Sequence, residues 1–160
     1  MPKTTNSGFF DISSPDIFFQ AIKKSINELD ESKFKSTEKL MFIIMGLNHL
    51  REWIAPGYDH NKQAKTPEEN FFNQIFGLSE YKTINALCNS SKHLSKFSGT
   101  TSIIGDVPID EWEDVDSVVN FDIGPLLSHG VDGQDIRVII AKVVHFYDVH
   151  WFNKPPLPRT

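Results

Sequence analysis

A chain of 160 residues, 39% hydrophobic and carrying 13 phenylalanines, is long and apolar enough to fold around one core. That composition excludes a disordered chain. The net charge of −5 opposes whole-molecule attraction to a polyanion, so binding nucleic acid requires a local basic patch, for which Lys82, Lys92 and Lys96 are the candidates.

The first 13 residues read as an arm. They contain no apolar run followed by a small-residue cleavage site, so no signal peptide is expected. A first helix is signalled by Ser14 as cap, Pro15 at the first helical position and Asp16 in the first turn. Ile17, Phe18, Ala21, Ile22, Ile26 and Leu29 follow at roughly helical spacing, and the helix is expected to end near "DESK".

A second helix is expected from Ser36 or Thr37 to Ala55, where "APG" stops it. Leu40, Ile43, Ile44, Leu47, Leu50 and Ile54 make one apolar face, and Phe42, Met45, His49 and Trp53 a second. Asn48, Arg51 and Glu52 form the remaining stripe. A helix apolar over most of its girth is a central one. Its run "LMFIIMGL" is far short of the roughly 20 residues a membrane span needs, so no membrane partner is expected. One cysteine rules out an internal disulfide and suits a reducing compartment, pointing to the cytoplasm of a microbe.

"APGYDHNKQAK" is a polar connector. In "TPEE", Thr66 caps a short third helix, Pro67 opens it and Glu69 completes a capping box; Phe71, Phe72, Ile75 and Phe76 follow before Gly77. A fourth helix is expected from Ser79–Glu80 to Phe97. Its apolar face is Ile84, Leu87, Cys88, Ser91 and Leu94. Its polar face is Asn85, Asn89, Lys92 and Lys96, with His93 at the edge. "SGTTSIIGDVPI" and "DSVVNFDIGPLL" read as short strands around the acidic "DEWEDVD", and "HGVDGQD" as turn chemistry. "DIRVIIAKVVHFYDVHWF" places Ile136, Ile139, Ile140, Val143 and Tyr147 on one helical face and is too long for an ordinary strand. The expected protein is a single domain over 1–160, mainly α, with a four- or five-helix bundle-like core. Its parts are an arm at 1–13, a helical core at 14–97, a small β hairpin or meander at 98–131, a last helix at 134–152 and a tail at 153–160.

The six histidines, at 49, 60, 93, 129, 145 and 150, form no HExxH or HxH arrangement. His49 and Glu52 can supply two metal ligands but lack the rest of a site, so no metal is expected. The chain has no G-x-S-x-G and no phosphate loop, and no cofactor is expected. Cys88 on an apolar face reads as a small buried hydrophobe. What remains is "NALCNSSKHLSKF", which sets Asn89 and His93 one turn apart. His49 and Trp53 share a face of the second helix, beside Glu52. If the second and fourth helices run antiparallel, a His49–Glu52–Asn89–His93 cluster forms between them, supported by Asn48, Arg51 and Trp53.

"CNSSKH" resembles the active-site helix of the HEPN superfamily, whose motif is Arg, a polar residue that is often Asn, three residues, then His. Asn89 takes the polar position and His93 the His position, while Cys88 stands where the family has Arg. The resemblance implies an all-α domain and, in competent members, metal-independent RNA cleavage across a dimer interface. His93 would then be the acid or base, with Arg stabilising the phosphorane. Lys92 lies four residues from the Arg position and is no equivalent. Residues 38–151 are also similar to a group of uncharacterised bacterial proteins with the pattern "HLxxW…CNxxKH", here Asn48–Trp53 and Cys88–His93.

Three readings follow. The first is a HEPN-like binding or regulatory protein without ribonuclease activity, acting as a homodimer with RNA or a protein as partner, in a defence or toxin–antitoxin setting. The second is an endoribonuclease using His93, with Asn89 and Lys92 positioning phosphate. The third is a structural or protein-interaction domain presenting Trp112.

Overall fold

The side-chain caps of the sequence start helices where they are expected to. In the computed structural model, which describes residues 9–32, 36–93, 99, 101–104 and 128–153, Ser14 accepts from the Ile17 N–H and opens α1, Pro15–Glu31. Ser36 accepts from Lys39 N–H and opens α2, Thr37–Ile54. Thr66 accepts from Glu69 N–H and opens α3, Pro67–Phe76. Each cap satisfies a backbone donor that the first helical turn leaves without a partner. Helix α4 spans Ser79–His93. The side chains of Lys92 and His93 lie outside the described residues, as do residues 94–98, onto which the fourth helix was expected to extend, and the "DEWEDVD" segment with Trp112.

Strands β1, Thr101–Ile104, β2, Ser128–Val131, and β3, Gln134–Asp135, form an antiparallel sheet in that order. Thr101 faces Val131 and Val131 faces Gln134. Asp132 and Gly133 connect β2 to β3, both with positive φ, at 50° and 81°. A two-residue turn of this hand matches the twist of the flanking strands, and Asp-Gly is a favoured pair for it. The expected last helix therefore begins two residues late. Gln134 and Asp135 pair as strand, and the Asp135 carboxylate accepts from Arg137 N–H to open α5, Ile136–Tyr147. The protein is thus mainly helical, with five α-helices among the described residues and a small sheet ahead of the last of them.

Helix α2 touches α1, α3, α4 and α5. Its face Leu40, Ile43, Ile44, Leu47, Leu50 and Ile54 is buried, as is the expected α5 face from Ile136 to Tyr147. The face of α1 is rotated from expectation. Phe19, Ile22 and Leu29 are buried and Ile17 is exposed, because the 3.6-residue period groups 19, 22, 26 and 29 rather than 17 and 18. After α5 the chain makes a π-helical turn, Asp148–Phe152, closed by Asn153 N–H donating to Asp148 O at 2.7 Å. The wider turn lays Phe152 flat on Phe19, with centroids 4.3 Å apart and planes at 11°, and sets Trp151 against Phe71. His129 on β2 meets Thr37 Oγ1 at 2.9 Å and ties the sheet to the start of α2. Burial lowers the His129 pKa, with Asp135 opposing. No helix among the described residues is long and apolar enough to cross a membrane.

Gly46 lets α1 and α2 approach closely. A Cβ there would sit 2.9 Å from Ile22 Cγ1 and 3.1 Å from Phe18 Cε1. Gly46→Val is expected to lower stability by about 1–3 kcal/mol through overpacking, read as a lower urea midpoint. An unchanged midpoint would show that the seam relaxes freely.

Candidate functional site

The contacts between α2 and α4 run in opposite order along the two helices. Arg51 lies near Tyr81 and Asn48 near Asn85, so the helices pack antiparallel. The polar cluster on this seam is centred on Asn48, which sequence reasoning placed on a stripe with Arg51 and Glu52 and which is only 6% exposed. The Tyr81 hydroxyl donates toward the Asn48 backbone oxygen at 3.0 Å and its Oδ1 at 3.2 Å. Asn85 Nδ2 donates to Asn48 Oδ1 at 2.8 Å, and Asn89 Nδ2 to Asn85 Oδ1 at 3.4 Å. Asn89 is therefore linked to α2 through Asn85, and its own side chain is exposed. One turn away, the Tyr147 hydroxyl donates to Leu47 O at 2.6 Å. Burial pushes both phenols above their ordinary value, so both keep the proton they donate.

Arg51 stabilises the same seam from its other side. Its guanidinium lies 3.9 Å from the Phe72 ring centre and 5.0 Å from that of Tyr81, and Nη1 donates to Phe72 O at 3.3 Å. Its Nε is buried and has no hydrogen-bond partner. A flat cation between aromatic faces gains from ring quadrupoles while its edge still donates.

His49 and Glu52, expected together, are together. Glu52 Oε2 accepts at 3.3 Å from His49 Nδ1, and His49 Nε2 lies 4.0 Å from Cys88 Sγ. The expected partners Asn89 and His93 differ in outcome. Asn89 bonds to Asn85, and the side chain of His93 lies outside the described residues, as does that of Lys92. Trp53 packs edge-on against Phe18, with centroids 4.5 Å apart. Both line an apolar groove of about 320 Å³ with Phe9, Phe42 and Met45, and His49 stands at its edge. Among the described residues, no group of three His, Cys, Asp or Glu side chains could hold a metal ion.

Tyr81 and Asn85 were missed as partners of Asn48, and Cys88 as a partner of His49. Tyr81 carries a signal, since it precedes Ile84 and Cys88 by three and seven residues, on the same helical face. Which carbonyl its hydroxyl would meet depends on the α2–α4 register, which one helix does not encode.

Comparison with protein-family models, curated proteins and solved structures finds no match to this chain.

Asn48→Leu strands the Asn85 amide and removes one of two acceptors from Tyr81. It is expected to cost about 1–3 kcal/mol, and Tyr81→Phe about 1 kcal/mol, in urea unfolding. The double variant should cost less than the two single losses together, by about 0.5 kcal/mol or more. Strict additivity would mean the two side chains do not share a bond.

Proposed function

We propose that the chain is a HEPN-like helical binding and regulatory module of the bacterial cytoplasm, acting as a homodimer and lacking ribonuclease activity. Position 88 carries this reading. In the motif the chain resembles, that position must offer a cation to a phosphate. Here it holds Cys88, 1% exposed, with its sulfur toward His49 on α2. A residue facing into the core cannot hold a phosphorane, and restoring Arg there would bury an ion. Asn89 is spent on the ladder to Asn85 and Asn48.

The dimer surface in this reading is the aromatic face of α2 and the arm, not α4, whose outward Lys82, Asn89 and Ser91 are polar. Phe9 and Ile12 exchange backbone hydrogen bonds, both 2.9 Å, across a tight turn that holds Phe10 at φ 53° and 80% exposed. Positive φ is unfavourable for a bulky side chain. Phe10 stands edge-on to Phe9, and Phe9 lines the groove, so one face carries both a projecting ring and an apolar slot. A two-fold pair of identical patches requires that kind of self-complementarity. Phe9, Phe10 and Phe42 together leave on the order of 400 Å² of apolar surface in water, half of the roughly 800 Å² per partner of a standard interface.

Purified protein incubated with RNA in EDTA is expected to leave the RNA intact. Cleavage that His93→Ala abolishes would overturn the reading in favour of an endoribonuclease. Light scattering is expected to give twice the chain mass, falling to one chain mass in Phe10→Asp. A monomeric wild type would remove the homodimer from the account.

A further inference from the structure

Helices α1 and α5 both pack on α2, and a cleft lies between them. The two helices run in opposite directions. Phe19 meets Tyr147 and Phe152 at one end, and Asp30 lines the other with Arg137. The cleft holds about 390 Å³, a volume suited to a small ligand. Its floor is apolar, made by Ile26 on α1 and Ile140, Ala141 and Val144 on α5. It joins a second hollow of about 680 Å³ through shared Asp30, Arg137, Ala141 and His145.

The charges on the walls are divided between the two ends. At one end the Asp135 carboxylate holds the Arg137 guanidinium, with Oδ2 2.7 Å from Nη2 and Oδ1 3.2 Å from Nε. Asp30 adds a second carboxylate, so acid outnumbers base there. At the other end stands Lys23, one turn from Phe19, with Nζ 4.6 Å from that ring's centre. His145 and Asp148 line the facing wall. Asp148 opens the π-helical turn, and its carboxylate accepts from Asn153 Nδ2 within that turn. It is thus partly satisfied locally, which leaves Lys23 and His145 to meet an anion. Departures of this kind from the α-helix recur at functional sites. Lys23 and Asp30 are seven positions apart on α1, about 10 Å along its axis.

We propose that this cleft binds short peptides of about three residues with free termini and apolar side chains. The peptide ammonium lies at Asp30, its carboxylate at Lys23 and His145, and its side chains on the apolar floor between them. Three extended residues at roughly 3.4 Å each span about 10 Å, which matches the spacing of the two charges. A ligand of one sign fits less well. A fatty acid brings no cation to Asp30, and a polyamine sets an ammonium beside Lys23. Charges left unmatched in a half-closed cleft cost free energy, whereas a zwitterion with an apolar body is met at both ends. The cleft shares no lining residue with the groove of Phe9, Phe42 and Trp53, so the inference stands whether or not the chain is HEPN-like or dimeric.

The test titrates folded full-length protein with the tripeptide Leu-Ala-Leu in a calorimeter. Wild type is expected to bind one peptide per chain with a sub-millimolar Kd. Acetylating the amine or amidating the carboxylate should each weaken binding roughly ten-fold, the loss of one hydrogen-bonded charge. Asp30→Asn should weaken binding by a similar factor and become insensitive to acetylation, and Lys23→Gln should become insensitive to amidation. Ala141→Leu keeps a good helix former, fills the floor and should abolish binding. No saturable heat at millimolar peptide would overturn the proposal. So would unchanged binding in Ala141→Leu, or octanoate or the doubly capped peptide binding as tightly as the free one. Should Ala141→Leu fail to fold, the exposed Asp30 decides the matter: an Asp30→Asn titration identical to wild type would contradict the proposal.

Discussion

Two phenol hydroxyls on adjacent carbonyls of one buried helix hold this molecule in register. Tyr147 from α5 donates to Leu47 O, and Tyr81 from α4 donates to Asn48 O and Oδ1. Each carbonyl has a lone pair to spare beyond the helix's own bond. Both donors are buried and protonated, so both bonds form in a low-dielectric setting where leaving them unmade is expensive. A slip of α4 along α2 breaks the Tyr81 bonds, and a slip of α5 breaks the Tyr147 bond. Hydrophobic burial brings the helices together but fixes no register; these oxygens do.

That register gives α2 its other roles. With Asn48 turned into the α4 seam, the helical period carries His49 to the seam's edge over Cys88, and carries Phe42, Met45 and Trp53 to the side facing α1 and the arm. Arg51 falls on the opposite side of the seam, over Phe72. Gly46 then permits the α1 approach that brings Phe18 against Trp53. The thiol contact and the aromatic groove thus follow from a single rotational setting of α2.

Much of the fold was legible in the chain. Ser14, Ser36 and Thr66 cap the helices they were expected to cap, and the apolar faces of α2 and α5 are the buried ones. Those signals are local. What was not legible is pairwise. Asn48 reads as polar surface until Tyr81 and Asn85 are seen to reach it, and Cys88 reads as a small hydrophobe until His49 lies over it. The start of α5 was misplaced by two residues because Asp135 serves at once as strand residue and helix cap. The arm gave no periodic signal at all, since Phe9–Ile12 is a strained turn rather than a regular element. At the candidate site, His49 with Glu52 was readable from spacing within one helix, whereas its partner on α4 depended on a register that only packing sets.

Among the described residues the middle of α2 is the most firmly held segment, and native-state hydrogen exchange measures that directly. The amides of Leu47 to Arg51 are expected to be among the slowest to exchange and to open only with global unfolding, at the free energy given by denaturant. Exchange of those amides through local opening, faster than that of α1, would contradict it.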